Sequence, residues 1–262
     1  MIEKTLEITK EVQRFINDLY KTYANMFHCV KNHRYKIKQE LVAKSGFWLD
    51  VKKRYALLIV DKEGTRLEEP KLDVKGLDVV RSDFPNSMRE FMKETLIHIL
   101  EFKPKEFLDA HIEQFKDRIN SIDLVDIARS SSVNGIGKYS GQKTKGGFTE
   151  IKKGAQSHIK GCIYYNDMIG IFGLSKNYDY IRNRDKIKSV YLKDNPYHMD
   201  SLSYRGYDDP PEIMEFIEKY VDRDRIFESL LVNKLNSFYT ALGWSNLDFS
   251  KKNENINKFF DF

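Results

Sequence analysis

Between Glu3 and Val30 apolar side chains fall at Leu6, Ile8, Val12, Phe15, Ile16, Leu19, Tyr20, Tyr23, Phe27 and Val30. The steps are mostly three and four, which predicts one long amphipathic helix. β-type runs follow at residues 35–42 and 55–60, then turn chemistry at Asp61-Lys-Glu-Gly64 and an extended piece at 72–80. That order predicts an antiparallel sheet with the helix on one face. It is half of an α+β layer, and two strands with one helix make a thin core on their own.

From Ser82 the pattern changes. Ser82-Asp83 ahead of Pro85 is a helix start, and Lys103-Pro104 breaks the helical pattern into 85–100 and 104–120. A β-type stretch at 124–128 leads into a loop-rich region at 130–157. A helical or mixed segment at 158–170 and a strand at 187–192 come next. Helices at 211–221 and 224–242 open on Pro210-Pro211 and on Asp222-Arg-Asp224, whose acids read as helix caps. Asp208-Asp209 reads as turn chemistry, and Trp48 and Trp244 as core anchors.

Composition excludes several classes. At 41% hydrophobic and 32% charged over 262 residues the chain is neither disordered nor collagen-like. No apolar run reaches the ~18 residues of a membrane span, and the charged N-terminal helix is not a signal peptide. Two cysteines, Cys29 and Cys162, rule out a disulfide scaffold and suit a reducing compartment. His28, Cys29 and His33 lack the partners of a metal motif.

Charge is concentrated. From Gly137 to Lys160 six lysines (138, 143, 145, 152, 153 and 160) face one acid, Glu150, a local +5 that equals the excess of the whole chain. Seven of the fourteen glycines lie between 135 and 161. Lysines on a glycine-rich backbone can follow a phosphate chain closely; a solvated surface loop is the alternative. GxxxxGK[ST] is absent, so the region is not a P-loop. Lys52-Lys-Arg-Tyr55 stands at the entrance to a strand, where alternation places Lys53 and Tyr55 on one face. Such a pair can donate to minor-groove acceptors that every base pair presents.

Several segments carry a resemblance. Gly46-Phe-Trp48, Lys52-Lys-Arg-Tyr-Ala-Leu57, Asp61-Lys-Glu-Gly-Thr-Arg66, Glu69-Pro-Lys-Leu72 and Lys75-Gly-Leu77 resemble the palm-to-thumb region of family B DNA polymerases, of the replicative kind of T-even-type bacteriophages. Ser132-Val-Asn-Gly-Ile136, Lys138-Tyr139, His158-Ile-Lys-Gly161 and Tyr164-Tyr-Asn166 are similar to thumb motifs. Ile256 with Phe259-Phe-Asp-Phe262 is similar to a sliding-clamp peptide. The metal-binding DTDS and SLYPS motifs and the nucleotide motif KxxxNSxYG are not present.

The resemblance implies an α+β fold in three parts: a C-terminal palm portion at 1–77, a mostly helical thumb at 78–250 and a flexible clamp-binding tail at 251–262. It implies a polymerase part or split subunit working in an infected cell's cytoplasm. Two Mg2+ ions would be held by the aspartates of a partner chain carrying the exonuclease, fingers and catalytic palm motifs. Lys53 and Tyr55 would lie in the minor groove near the primer terminus, with Lys52 and Arg54 beside them. Glu40 matches an acid near the metals, while Lys38 stands where an Asp is frequent. Asn134, Lys138, Lys152, Lys153, His158 and Lys160 would hold primer–template duplex by its phosphates. Asn253, Ile256, Phe259, Phe260 and Phe262 would dock the sliding clamp, with Asn253 where Gln is usual. No membrane partner is implied. The rival readings are a non-catalytic duplex-binding or clamp-recruiting module derived from a thumb, and a domain unrelated to DNA.

Overall fold

The computed structural model describes residues 2–27 and 34–247. It divides into two compact units, Met1–Leu77 with Lys93–Lys103, and Asp78–Met92 with Pro104–Phe262. Mixed helices and antiparallel sheets make it α+β. Among the described residues no helix is long and apolar enough to cross a membrane.

In the first unit, helix α1 (Ile2–Met26) is followed by strands β1 (Leu41–Trp48), β2 (Tyr55–Lys62) and β3 (Thr65–Lys75), antiparallel in the order β1-β2-β3. Two expectations shift. Residues 35–40 are not strand. Their backbone is held instead by polar side chains of α1: Asn17 bonds both the N–H and the carbonyl of Ile37 (2.9 and 3.0 Å), and Gln13 accepts from the N–H of Gln39 (2.7 Å). With those groups satisfied by α1, the segment needs no ladder partner. β3 in turn starts seven residues earlier than residue 72. Pro70 conceals it, and is tolerated because β3 is an edge strand whose residues 67–70 bulge opposite Val60.

The stripe of α1 is not laid on this sheet. Ile8, Val12, Phe15, Leu19, Tyr23 and Met26 are exposed, and Ala24 is the buried residue of the helix. Most of the unit's buried apolar side chains come from the sheet (Val42, Phe47, Ala56, Leu58, Ile59, Val60) and from Leu96, Ile99 and Leu100 in the second half of α2 (Asn86–Leu100). Trp48 is 61% exposed and is not a core anchor: its ring lies over the bare Cα of Gly46 on the sheet surface.

The second unit is built round a sheet in the order β4-β7-β8: β4 (Arg129–Ser132), β7 (Lys186–Tyr191) and β8 (Ser201–Tyr204). α3 (Lys105–Arg118) ends in a 3-10 turn, and α4 (Leu124–Ile127) is one helical turn where a β-type stretch is expected. Leu124 and Ile127, three apart, are both buried, which a strand would not allow on one face. The loop-rich region holds α5 (Ile136–Tyr139) and a hairpin of β5 (Ser140–Lys143) and β6 (Thr149–Ile151). α6 (Ser157–Ile171) packs on β8, and Gly161 is the point of approach: a Cβ there would stand 2.5 Å from the amide nitrogen of Ser203. α7 (Pro211–Tyr220) precedes α8 (Arg223–Phe227), capped by Asp222, which accepts from the N–H of Arg225 (2.9 Å). A π-helical segment at Glu228–Val232 joins α8 to α9 (Asn233–Ala241) without a break in helical backbone, so the expected single helix is present as one continuous run with a π-type stretch in its middle. In the core Phe91 stacks on Phe115, and Phe227 meets Phe115 at a tilt. Asp209 sets the expected turn, accepting from the N–H groups of Arg205 and Gly206. Burial pushes the Cys162 thiol up to about 12.

Candidate nucleic-acid interface

In the first unit, Lys52, Lys53 and Arg54 form the β1–β2 turn and are not part of a strand. The N–H of Leu49 donates to the carbonyl of Arg54 (3.1 Å) and the N–H of Arg54 to that of Val51 (3.3 Å). Lys53 has φ +64°, so strand alternation does not decide which way it points. The turn is braced from below. Gly76, itself at φ +66°, comes so close that a Cβ on it would stand 2.2 Å from the carbonyl oxygen of Lys53. Lys52, Lys53 and Arg54 are all exposed, and Tyr55 is half-buried as the first residue of β2. The run Asp50-Val-Lys-Lys-Arg54 between two apolar segments was the signal for a hairpin loop.

Glu40 is exposed just ahead of β1, and its carbonyl accepts from the N–H of Glu63 (2.8 Å). Lys38 pairs with the Glu63 carboxylate at 2.6 Å and holds that acid below the usual carboxylate range. Leu41 pairs with Lys62 and Trp48 with Tyr55, so Glu40 and the Lys52–Tyr55 turn occupy opposite ends of the hairpin, roughly 20 Å apart. The structure does not bring these two groups together. Among the described residues no cluster of three His, Cys, Asp or Glu side chains could hold a metal. A lone exposed carboxylate beside a Lys–Glu pair does not fit a two-Mg2+ centre.

The second unit gathers several of the expected contacts. Lys152, Lys153 and Lys160 line one open groove of about 490 Å³ with Tyr164 as part of its wall. Burial pushes the Tyr164 hydroxyl above its ordinary range. The lysines reach this groove by two routes. Lys152 and Lys153 follow β6, where the N–H of Lys152 donates to the carbonyl of Tyr139 (2.9 Å). Lys160 sits in the first turn of α6, and its ammonium meets Asp200 at 2.7 Å. Its charge is therefore already partly neutralised, unlike that of the exposed Lys152 and Lys153.

Asp167 fixes the hairpin. This residue, 3% exposed in the middle of α6, accepts from the N–H and from the hydroxyl of Thr149, each at 2.7 Å. The first carbonyls of α6 are also tied down, by Ser201 to Ser157 (2.9 Å) and by Ser203 to His158 (2.8 Å).

His158 faces elsewhere. With Arg129, Ser131, Ser189 and Tyr191 it lines a separate cavity of about 400 Å³. Burial, and secondarily the Arg129 guanidinium, hold its imidazole below the ordinary range. Asn134 precedes α5 and Lys138 lies within it; at the start of this helix the N–H groups of Gly135 and Ile136 donate to Asn183 (2.9 and 3.1 Å). The Lys138 ammonium stands 5.0 Å from the ring of Tyr139. Neither residue lines the lysine groove. Arg129, Asp167, Asn183 and Asp200 escape a reading of the sequence because their partners are remote in the chain. Asn253, Ile256, Phe259, Phe260 and Phe262, like His28, Cys29 and His33, lie outside the described residues.

Against known proteins, 221 residues are 30% identical to the DNA-directed DNA polymerase of Escherichia phage RB69, and 209 residues are 26% identical to that of Enterobacteria phage T4. The chain is similar to phage DNA polymerases. The aligned stretches cover 83% and 79% of this chain but 23% and 22% of those relatives, so it spans less than a quarter of their length. The likeness supports a relationship to family B phage polymerases. No family model matches.

Proposed function

We propose that this chain is the duplex-gripping C-terminal part of a family B DNA-directed DNA polymerase, with the Mg2+ carboxylates supplied from another stretch of polypeptide. The observation that carries the reading is the groove of Lys152, Lys153 and Lys160, in a chain similar to phage DNA polymerases over about four-fifths of its length. Cations from a strand end and a helix start converge there, on a hairpin that Asp167 holds in place. Fixed ammonium groups on a concave surface displace condensed counterions from a phosphate backbone, so binding is strong at low salt and blind to sequence.

The braced, exposed Lys53 turn suits a second contact, to minor-groove acceptors that every correctly paired base offers. Glu40 alone supplies no metal site. Among the described residues no acids gather into a metal site, and on this reading nucleotidyl transfer draws its acids from another stretch of polypeptide. The tail residues Asn253, Ile256, Phe259, Phe260 and Phe262 are proposed as the clamp peptide, a polar residue followed by aliphatic and aromatic anchors. The setting is DNA replication in an infected cell.

The test measures binding of the full chain to primed duplex DNA by fluorescence anisotropy at several salt concentrations. It then measures primer extension by the chain mixed with a polypeptide carrying the aspartate motifs. The expected result is steeply salt-dependent binding, no extension by this chain alone, and extension by the mixture. In that mixture Lys53→Ala slows extension and weakens discrimination against mismatched primers. Unaided extension, or no duplex affinity at low salt, would overturn the reading. Binding without extension by the mixture would identify a non-catalytic duplex-binding module.

A further inference from the structure

We propose that the exposed apolar row of α1 is the docking surface for the polypeptide that carries the rest of the polymerase, an inference resting on the function proposed above. Ile8, Val12, Phe15, Leu19, Tyr23 and Met26 follow one another in steps of four, three, four, four and three, a single row on the helix. Their exposures run from 41% at Leu19 to 69% at Phe15. At ~1.5 Å per residue the row is about 27 Å long. Contiguous apolar surface of this extent on a folded protein marks an interface.

The helix cannot roll the row inward without losing what holds it. Gln13 and Asn17, on the other side, are bonded to the backbone of Gln39 and Ile37. Tyr20 leans on Tyr35, and Ala24 is buried. The amphipathic pattern thus serves a surface that this chain's described residues leave open.

Charge and size select the occupant. Helix α1 carries four acids and four bases, so it offers no field to draw nucleic acid or an anionic lipid surface. Six half-exposed large side chains present roughly 500 Å², more than half of one partner's share of a standard protein interface. The chain matches less than a quarter of each relative, and more than three-quarters of a polymerase remains to be placed. That remainder is the polypeptide the row fits.

The experiment pairs the full chain with the polypeptide of the same genome that carries the polymerase aspartate motifs, expressed separately. Association is followed by size-exclusion chromatography with light scattering and by titration. A one-to-one complex is expected, and Phe15→Glu with Leu19→Lys should weaken it by about thirty-fold or more. The variant alone should keep its circular dichroism spectrum and its affinity for primed duplex. Lys152→Ala with Lys153→Ala should do the reverse, weakening duplex binding and sparing the complex.

An Phe15/Leu19 variant that associates like the parent would overturn the inference. So would a dimer of the parent chain that the same two substitutions dissolve, since the row would then belong to a second copy. A parent chain that forms the complex yet never binds duplex would leave the docking surface standing and sink the functional reading.

Discussion

Asp167 and Thr149 meet through two hydrogen bonds of 2.7 Å, one from the Thr149 N–H and one from its hydroxyl, so a buried carboxylate on α6 holds the start of β6. The Lys143 ammonium lies 3.9 Å from the same carboxylate. The lysines at 152 and 153 leave the hairpin three and four residues after this anchor. Their position follows from Asp167, a buried residue 18 positions away from its Thr149 partner.

Asp167→Ala should therefore destabilise the protein by about 2–3 kcal/mol, because hydrogen bonds to a charged acceptor are lost and a backbone N–H is left unpaired. Thr149→Val removes the hydroxyl bond alone and should cost about 1 kcal/mol. Urea denaturation reads both. Hydrogen exchange at the Thr149 amide should quicken in the first variant and not in the second.

The lysines of the groove should differ in their weight on DNA binding. Lys153→Ala should lower the slope of log affinity against log salt by about 1. Lys160→Ala should lower it less, since Asp200 already stands 2.7 Å from that ammonium. Asp200→Asn should strengthen binding by freeing the cation. Equal slopes for the two lysine variants would show that the Lys160–Asp200 pair opens on the duplex.

Gly161→Ala should cost about 2–3 kcal/mol of stability, measured by denaturant unfolding. The added methyl would press on the backbone nitrogen of Ser203 at 2.5 Å and the carbonyl carbon of Leu202 at 2.7 Å, and backbone atoms of a paired strand cannot swing aside. A fully stable variant would mean that the two elements lie further apart.

His158 predicts a pH dependence with a definite sign. Its imidazole is held below the ordinary value by burial and by Arg129, so between the two values the unfolded chain binds more protons than the folded one. Stability then rises with pH in that window. The contribution is complete above about pH 6.5 and is lost as pH falls toward the folded value. Thermal unfolding should show a decline from pH 7.5 to 5.5 that is shallower in His158→Gln.

Much of the fold was legible locally. Pro104, Pro210-Pro211 and Asp222 start or break helices where they stand, because capping and proline geometry act within a few residues. Asp61, whose carboxylate accepts from the N–H of Gly64 (3.1 Å), confirms a turn that four residues announce. The errors fall where remote partners intervene. Residues 35–40 look like strand until Asn17 and Gln13 take their backbone groups. Residues 201–204 carry no strong strand signal, yet they form β8, where α6 covers them and all four are buried.

The sequence by itself determined the local +5 between residues 137 and 160, the lysine-rich turn before β2 and the apolar row of α1, since charge and periodicity are properties of short stretches. Tertiary structure alone decided which side chains meet. Asp167 reaches Thr149 across 18 residues, Lys160 reaches Asp200 across 40, and Ser203 reaches His158 across 45. It also decided that α1 turns its polar side to the chain and its apolar row to solvent. Such pairings depend on how distant elements pack, and a pattern confined to one element says which face is apolar without saying what will cover it.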